Sequence, residues 1–362
     1  MEEHRFPCTT CGADLRFEPG SDDLKCDHCG AVQEILPPRP RPKIQELDFD
    51  KAIRGQLAAQ ETEEVRATEC PNCGAHFEFD PAIHAAECPF CATPVVTDTG
   101  VDRQIKPKAL LPFALNEPEA RGKMTDWLGR LWFAPTGLQE YARKGRALTG
   151  VYVPYWTYDA DTKSSYSGER GTVYYVTEQV RVKRDGKTVV ENRQVLKTRW
   201  APASGRVARF FDDILVLGSK SLPKSYTDAL APWDLSELEP YQPEFLAGFR
   251  AEGYTVPLED GFKEARAYMD RMILRDVKFD IGGDKQRVHD VDTDVRDVTF
   301  KHILLPVWLA AYKYRGKSYR FVVNGRTGAV RGERPYSAVK IAVAVVLGLI
   351  VAGAVGYLLA QQ

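Results

Sequence analysis

The sequence predicts an α+β multidomain protein: two small four-cysteine zinc ribbons, a strand-rich mixed α/β central domain and one carboxy-terminal transmembrane helix. Three observations carry that expectation. All eight cysteines of the 362 residues lie between Cys8 and Cys91, as four Cys-x-x-Cys pairs. Beyond them, apolar residues recur at strand and helix spacings around hairpin signals. The last part of the chain is a long uncharged apolar run. The corresponding units are residues 1–35, 36–67, 68–100, 101–335 and 336–362.

The first ribbon carries Cys8, Cys11, Cys26 and Cys29, and a shift of 62 residues superposes them on Cys70, Cys73, Cys88 and Cys91. Gly12, Ala13, Phe17 and Pro19 fall in the same way on Gly74, Ala75, Phe79 and Pro81, so the module is duplicated. Two Cys-x-x-Cys knuckles supply four thiolates in tetrahedral array and leave no open position, which is the donor set of a structural site. Glycine after the second cysteine eases the tight turn at Gly12, Gly30 and Gly74, while the fourth knuckle has Ala92. Two structural Zn2+ ions are expected; a rubredoxin-like iron centre uses the same four thiolates and is the alternative ion. His4, His28, His76 and His84 are surplus to complete four-cysteine sets, and His28 aligns with Phe90 in the second copy. Thiolates that hold metal suit a reducing compartment. The start, MEEHRFPC, has no basic and apolar leader pattern, so the bulk of the chain is expected in the cytoplasm.

Between the ribbons, LPPRPRPK reads as a stiff polyproline-like spacer. A helix is expected after it, from about Gln45 to Ala67, with Leu47, Ile53, Leu57 and Val65 on a loose stripe. Charge then separates the units. Residues 1–35 carry three Lys or Arg against eight acids, and residues 68–100 carry five acids and no Lys or Arg. A phosphate backbone is bound by cations that displace its counterions, so nucleic acid is a poor partner for the ribbons and a protein partner is expected.

In the central domain, Asn116 reads as an N-cap ahead of Met124, Trp127, Leu128, Leu131 and Trp132 at helical spacing. A second helix is expected from about Leu258 to Arg275, with Phe262, Ala265, Met269, Met272 and Ile273 inward. Residues 172–200 read as a hairpin turning at Asp185-Gly186. Further turns are expected at Arg315-Gly316 and from Asn324 to Gly328. VYVPYW (151–156) and ILLPVW (303–308) share three apolar residues followed by Pro-x-Trp, the pattern of a weak repeat or pseudo-symmetric sheet.

Several motifs fail on inspection. GKT (186–188) and GKS (316–318) lack the earlier glycine of a phosphate loop, which is Arg181 in one case and Ala311 in the other. HDVDTD (289–294) has Val295 where a calcium loop needs glycine and Lys301 where it needs glutamate, so an alternating strand with an acidic solvent face is expected. No catalytic constellation emerges, and no enzyme activity is expected.

The tail runs from Ile341 to Ala360, twenty residues without a charge. At 1.5 Å per residue that is about 30 Å, the thickness of a hydrocarbon core. Only Gln361 and Gln362 follow, so a tail anchor is expected, and Arg331, Arg334 and Lys340 assign the preceding side to the cytoplasm. From Lys313 to Lys340 eight Lys or Arg face one acid, Glu333, a patch that anionic lipid attracts. Ala344, Gly348, Ala352, Gly356 and Ala360 form a small-xxx-small ladder suited to self-association or to pairing with another membrane helix.

The duplicated cysteine pairs, the block LTGVYVPYWTYDADTKSSYSGERG (148–171) and ILLPVWLAAYKYRGKSYRFVVNGRTGAVRGERPYS (303–337) before a membrane helix carry a family resemblance. The chain resembles a bacterial family of tail-anchored membrane proteins with TFIIB-type double zinc ribbons. Many of its members carry the label primosomal protein N′ (replication factor Y) or superfamily II helicase. The resemblance implies residence in the inner membrane and partners such as SPFH or virion-core-like proteins and envelope-stress proteins. The helicase label does not carry over, because this chain has no phosphate loop and is too short for two motor domains plus ribbons. The leading expectation is a non-enzymatic adaptor whose ribbons capture a cytoplasmic protein. The alternatives are a membrane-tethered nucleic-acid or regulatory factor using the basic central domain, and an enzyme of unrecognised type.

Overall fold

The computed structural model describes residues 6–36, 43–78, 85–88, 90, 93–96, 100–133, 148–184, 187–314, 317–333 and 336–360. The first ribbon is a three-stranded meander of β1 (Leu15–Glu18), β2 (Asp23–Cys26) and β3 (Val32–Glu34). After the spacer, most of which (37–42) lies outside the described residues, β4 (Leu47–Asp48) leads into α1 (Phe49–Ile53). A single 3-10 turn at Ala59–Glu61 precedes β5 (Thr62–Glu69).

The expected helix from Gln45 to Ala67 is therefore corrected to one short helix between two strands. Asp48 caps it by accepting from the Lys51 amide at 2.9 Å, and Gly55 at φ +67 ends it. What overrides helix beyond that point is a distant partner. TEEVRATE pairs antiparallel, from Thr62↔Ile105 to Ala67↔Gly100, with a strand on the far side of the second ribbon.

The second ribbon holds β6 (His76–Glu78), β7 (Ala85–Glu87) and β8 (Pro94–Val96). The duplication read from the cysteines extends to the pairing register. Asp23↔Glu34, Leu24↔Gln33 and Lys25↔Val32 recur 62 residues on as Ala85↔Val96, Ala86↔Val95 and Glu87↔Pro94. The Pro7↔Asp14 bridge recurs as Glu69↔His76.

Next come β9 (Gly100–Ile105), β10 (Ala109–Leu110) and α2 (Glu117–Gly129). Asn116 caps α2 as expected, in a full capping box with Glu119. The body is organised by two very long strands, β11 (Thr149–Arg184) and β12 (Lys187–Leu217). Their hairpin is longer than its 172–200 core suggested; the Asp185-Gly186 turn lies outside the described residues, flanked by the pair Arg184↔Lys187.

The short helix α3 (Lys224–Thr227), β13 (Glu239–Pro240) and β14 (Arg250–Ala251) lead to α4 (Leu258–Ile281). Helix α4 extends past the expected end at Arg275 and buries Ala265, Met269 and Ile273. It is followed by β15 (Lys285–Tyr314), β16 (Lys317–Asn324), β17 (Val330–Gly332) and α5 (Ala338–Ala360). The sheet order is β12-β11-β15-β10-β13, with β4 and β16 also on β15, β17 on β16 and β14 on β11. The Arg315-Gly316 turn lies outside the described residues, while Lys187 and Lys317 of the GKT and GKS segments open hairpin strands.

The two Pro-x-Trp segments lie antiparallel and side by side. Val151 pairs with Val307, Val153 with Leu305 and Pro154 with Leu304, a local dyad about the Val153–Leu305 pair. Both faces of the sheet are covered here, and side chains alternate between faces along each strand. Tyr152, Leu110, Leu304 and Trp308 pack with the first ribbon, and Val151, Val153, Ala109 and Leu305 with the second. The ribbons therefore sandwich the sheet. This is why 151–155 is a continuous buried apolar run rather than an alternating one.

Candidate metal centres

Each ribbon is built from knuckles of one local design. The first cysteine donates its amide to the carbonyl five residues on: Cys8 to Ala13 (2.7 Å), Cys26 to Ala31 (2.8 Å), Cys70 to Ala75 (2.9 Å) and Cys88 to Thr93 (2.8 Å). In three knuckles a glycine amide returns to the cysteine carbonyl, from Gly12, Gly30 and Gly74 at 2.8 to 2.9 Å. These glycines stand at φ +77, +75 and +68, which a side chain rarely adopts. Ala92 of the fourth knuckle lies outside the described residues.

The sulfurs of Cys8, Cys11, Cys26 and Cys29 all lie within 4.8 Å of one another, as do those of Cys70, Cys73 and Cys88. Cys91 lies outside the described residues. Cys8 and Cys29 are 3.6 Å apart, Cys11 and Cys26 3.5 Å, and Cys73 and Cys88 3.6 Å. A disulfide needs about 2.05 Å, whereas four sulfurs 2.3 Å from a tetrahedral ion stand about 3.8 Å apart. The separations fit the second case, and the clusters are compatible with zinc.

Electrostatics agree with a cation-binding set. Backbone amides of Thr10 and Cys11 hold the Cys8 thiol down to about 6, and the Cys29 amide lowers Cys26. Cys11 and Cys29 go the other way, Cys29 to about 12. Backbone amides of Ala13 and Ala31 favour their thiolates, but desolvation together with the neighbouring sulfurs, Cys26 and Cys8 for Cys11 and Cys11 first for Cys29, outweighs that help. Four sulfurs this close do not all ionise without a positive charge between them.

Both clusters are held against the body. The Phe17 amide donates to the Ala247 carbonyl (3.0 Å) and Gly20 to Phe113 (2.9 Å). The Phe17 ring meets Phe245 edge-on at 5.2 Å. On the opposite face Gly253 donates to the His76 carbonyl at 3.1 Å, beneath buried Cys70, Cys88 and Phe90.

Of the surplus histidines, His28 is exposed and His76 lies 3.6 Å from Glu69; His4 and His84 are outside the described residues. The HDVDTD segment lies in β15, with Asp290, Asp292 and Asp294 exposed and Val291 and Thr293 half-buried.

Three buried polar sites escaped sequence reasoning. Lys301 sits 2.7 Å from Asp213, 3.0 Å from Glu46 and 3.7 Å from Asp159. Asp159 lies opposite a bulge on β12 and next to one on β15, where Asp213 and Asp297 stand at φ 50; burial pushes its carboxyl up to about 6. Glu252 accepts from Ser219 at 2.6 Å, and burial raises it to about 8. His302 donates from Nδ1 to the Ile105 carbonyl at 2.7 Å, and burial lowers it to about 4. Glu252 follows the two-residue β14 and Lys301 fits an alternating strand, so neither carried a local signal; His302 stands directly before the apolar run ILLPVW.

Helix α5 is exposed, and over Ala338–Leu359 it is long and apolar enough to cross a membrane. Its small-residue ladder is open to solvent at Gly348 and Gly356, while Ala344 is half-buried.

No family model matches the chain, and no solved structure matches it. It is similar to a protein of Bacillus subtilis (strain 168) described as uncharacterized protein YdjG. The two are 25% identical over 341 residues, which covers 93% of this chain and 92% of that protein.

Proposed function

We propose that this protein is a membrane-anchored zinc-ribbon adaptor that recruits a cytoplasmic protein to the bacterial inner membrane. Cys8, Cys11, Cys26 and Cys29 hold one Zn2+, and Cys70, Cys73 and Cys88 hold the second together with Cys91. The ions supply cross-links between knuckles and no open coordination position. Helix α5 spans the bilayer with the ribbons on the cytoplasmic side.

The observation that carries this reading is the outer edge of the first ribbon. Its inner side is used up against the body, yet β3 is an edge strand exposed at every residue. Val32 and Leu36 stand 61% and 72% exposed beside Glu34, an apolar edge with acidic surroundings that suits a protein partner rather than a phosphate backbone. The test is affinity capture from detergent-solubilised membranes with wild type, Val32→Arg/Leu36→Arg, and a variant with all four cysteines of the first ribbon changed to serine. The double arginine variant keeps two zinc ions and loses the partner. Recovery of the same partners by all three proteins sinks the adaptor reading.

One observation favours a second reading, a membrane-tethered nucleic-acid-binding factor. Residues 172–200 carry seven Lys or Arg against three acids. Tyr175 there is 68% exposed, and the Arg199 guanidinium lies 5.4 Å over the Tyr174 ring. Full-length protein in micelles would then bind DNA or RNA with an affinity that falls steeply as salt rises. Absence of binding at low salt rejects it.

A further inference from the structure

We propose that the end of α2 and the residue pair ahead of α5 form an interfacial foot, with Trp132 seated among lipid headgroups of the membrane that α5 crosses. The inference rests on α5 spanning a bilayer and adds a second, monotopic contact to it. Its basis is a junction. Ser337 caps α5 by accepting from the Ile341 amide at its carbonyl (3.0 Å), and its own amide donates to the Phe133 carbonyl at 2.8 Å. The chain just after α2 is thereby tied to the first turn of the membrane helix.

Side chains repeat the connection. Phe133 and Tyr336 line an open apolar hollow of about 400 Å3 with Ile341, Ala344 and Val345. The depth of this hollow follows from the helix. If 341–360 fills the hydrocarbon core, Ile341 lies at its boundary and Val345 about 6 Å inside it. Phe133 shares their level, so Trp132 and Tyr336 come to lie at headgroup depth.

Their chemistry suits that depth. Trp132 is 79% exposed and Tyr336 61% exposed, a strong departure from the other tryptophans. Trp156 and Trp308 are buried, and Trp127, Trp200 and Trp233 are half-buried. Rings with an apolar body and a polar edge concentrate at membrane–water interfaces, where both needs are met. Exposed Arg130 and half-buried Lys340 flank the rings with positive charge, which fits anionic phospholipid.

The test uses the full chain in nanodiscs of phosphatidylethanolamine and phosphatidylglycerol, with acyl chains brominated either near the glycerol or near the methyl end. Shallow bromines are expected to quench a component of wild-type tryptophan emission that deep bromines leave largely intact. Trp132→Phe should lose that component while entering nanodiscs as well as wild type. Equal shallow quenching of the two proteins overturns the foot alone. Failure of wild type to enter nanodiscs, with release from membranes by alkaline carbonate, overturns the spanning reading and the foot with it.

Discussion

Replacing Phe17 by alanine should undock the first ribbon without emptying it. The Phe17 side chain is 3% exposed, wedged edge-on against Phe245 at 5.2 Å and 6.2 Å from Phe249. Truncating a buried phenylalanine costs about 3–5 kcal/mol. Zinc binding by small ribbons contributes roughly 10–16 kcal/mol, so the metal should survive a loss that docking does not. Two amides report docking directly, those of residues 17 and 20, which donate across the junction to Ala247 and Phe113. Gly12 and Cys26 report the knuckles alone, through bonds to Cys8 and Ala31. In Phe17→Ala, exchange protection at residues 17 and 20 should fall by about two to three orders of magnitude, at roughly 1.4 kcal/mol per tenfold. Protection at Gly12 and Cys26, and a zinc content of two per chain, should hold. Loss of one zinc, or an equal fall at all four amides, would refute the separation of metal binding from docking.

Three further outcomes are expected. His302 is lowered to about 4 by burial, so its neutral form stabilises the fold above the unfolded value near 6.5, and that contribution is lost as pH falls from there through 4. His302→Gln, which keeps a donor for the Ile105 carbonyl, should lose about 3 kcal/mol less than wild type between pH 6.5 and 4 in urea titrations; parallel losses contradict the assignment. A Cβ at Gly261 would strike the Tyr158 hydroxyl and approach Trp156 Cδ1 to 3.0 Å, so Gly261→Ala should destabilise by roughly 1–3 kcal/mol despite alanine's better helix propensity. A raised Tm would show that the helix–sheet spacing relaxes freely. Joining Tyr175 to Leu196 through Asn-Gly should change stability by no more than about 0.5 kcal/mol, because the excised ladder touches no third strand; a larger loss in a thermal melt means the distal ladder supports the body.

The ribbons were legible because their determinants are local: four ligands at fixed spacing, a glycine at each positive φ, and a 62-residue echo that recurs in the strand register. Helix α4 and the Asn116 cap of α2 were legible for the same reason. The segment 45–67 was not, since TEEVRATE becomes a strand only through Gly100–Ile105, which the second ribbon separates from it. Lys301 reads as a solvent residue in an alternating strand until Asp213, Glu46 and Asp159 converge on it from three different segments. The docking of the ribbons on opposite faces was likewise hidden, although the unbroken apolar run VYVPYW carried its mark, because two-sided burial removes the need for polar alternation.

Burial along β11 changes in three steps, and those steps order the molecule. From 151 to 160 every residue is buried, Val151 to Tyr155 among the clusters that hold the two ribbons and Trp156, Tyr158 and Ala160 against α4. From 161 to 168 exposed and buried residues alternate, because α4 covers one face only. Beyond Gly171, where pairing with β15 ends at Lys285, thirteen further pairs with β12 continue to Arg184↔Lys187 as a bare two-stranded arm. At about 3.3 Å per residue the arm is roughly 40 Å long. Its root-to-tip direction leads away from the end of the sheet at Thr149, which pairs with Leu309 close to β16, β17 and the start of α5. Any contact made by the arm is therefore distant from α5, whereas the ribbons lie at the α5 end of the sheet. A partner held by the ribbons would stay near the membrane, and a ligand of the basic arm would be met well out from it. Loss of one interaction by arm excision and of the other by Val32→Arg/Leu36→Arg would show two independent surfaces rather than one.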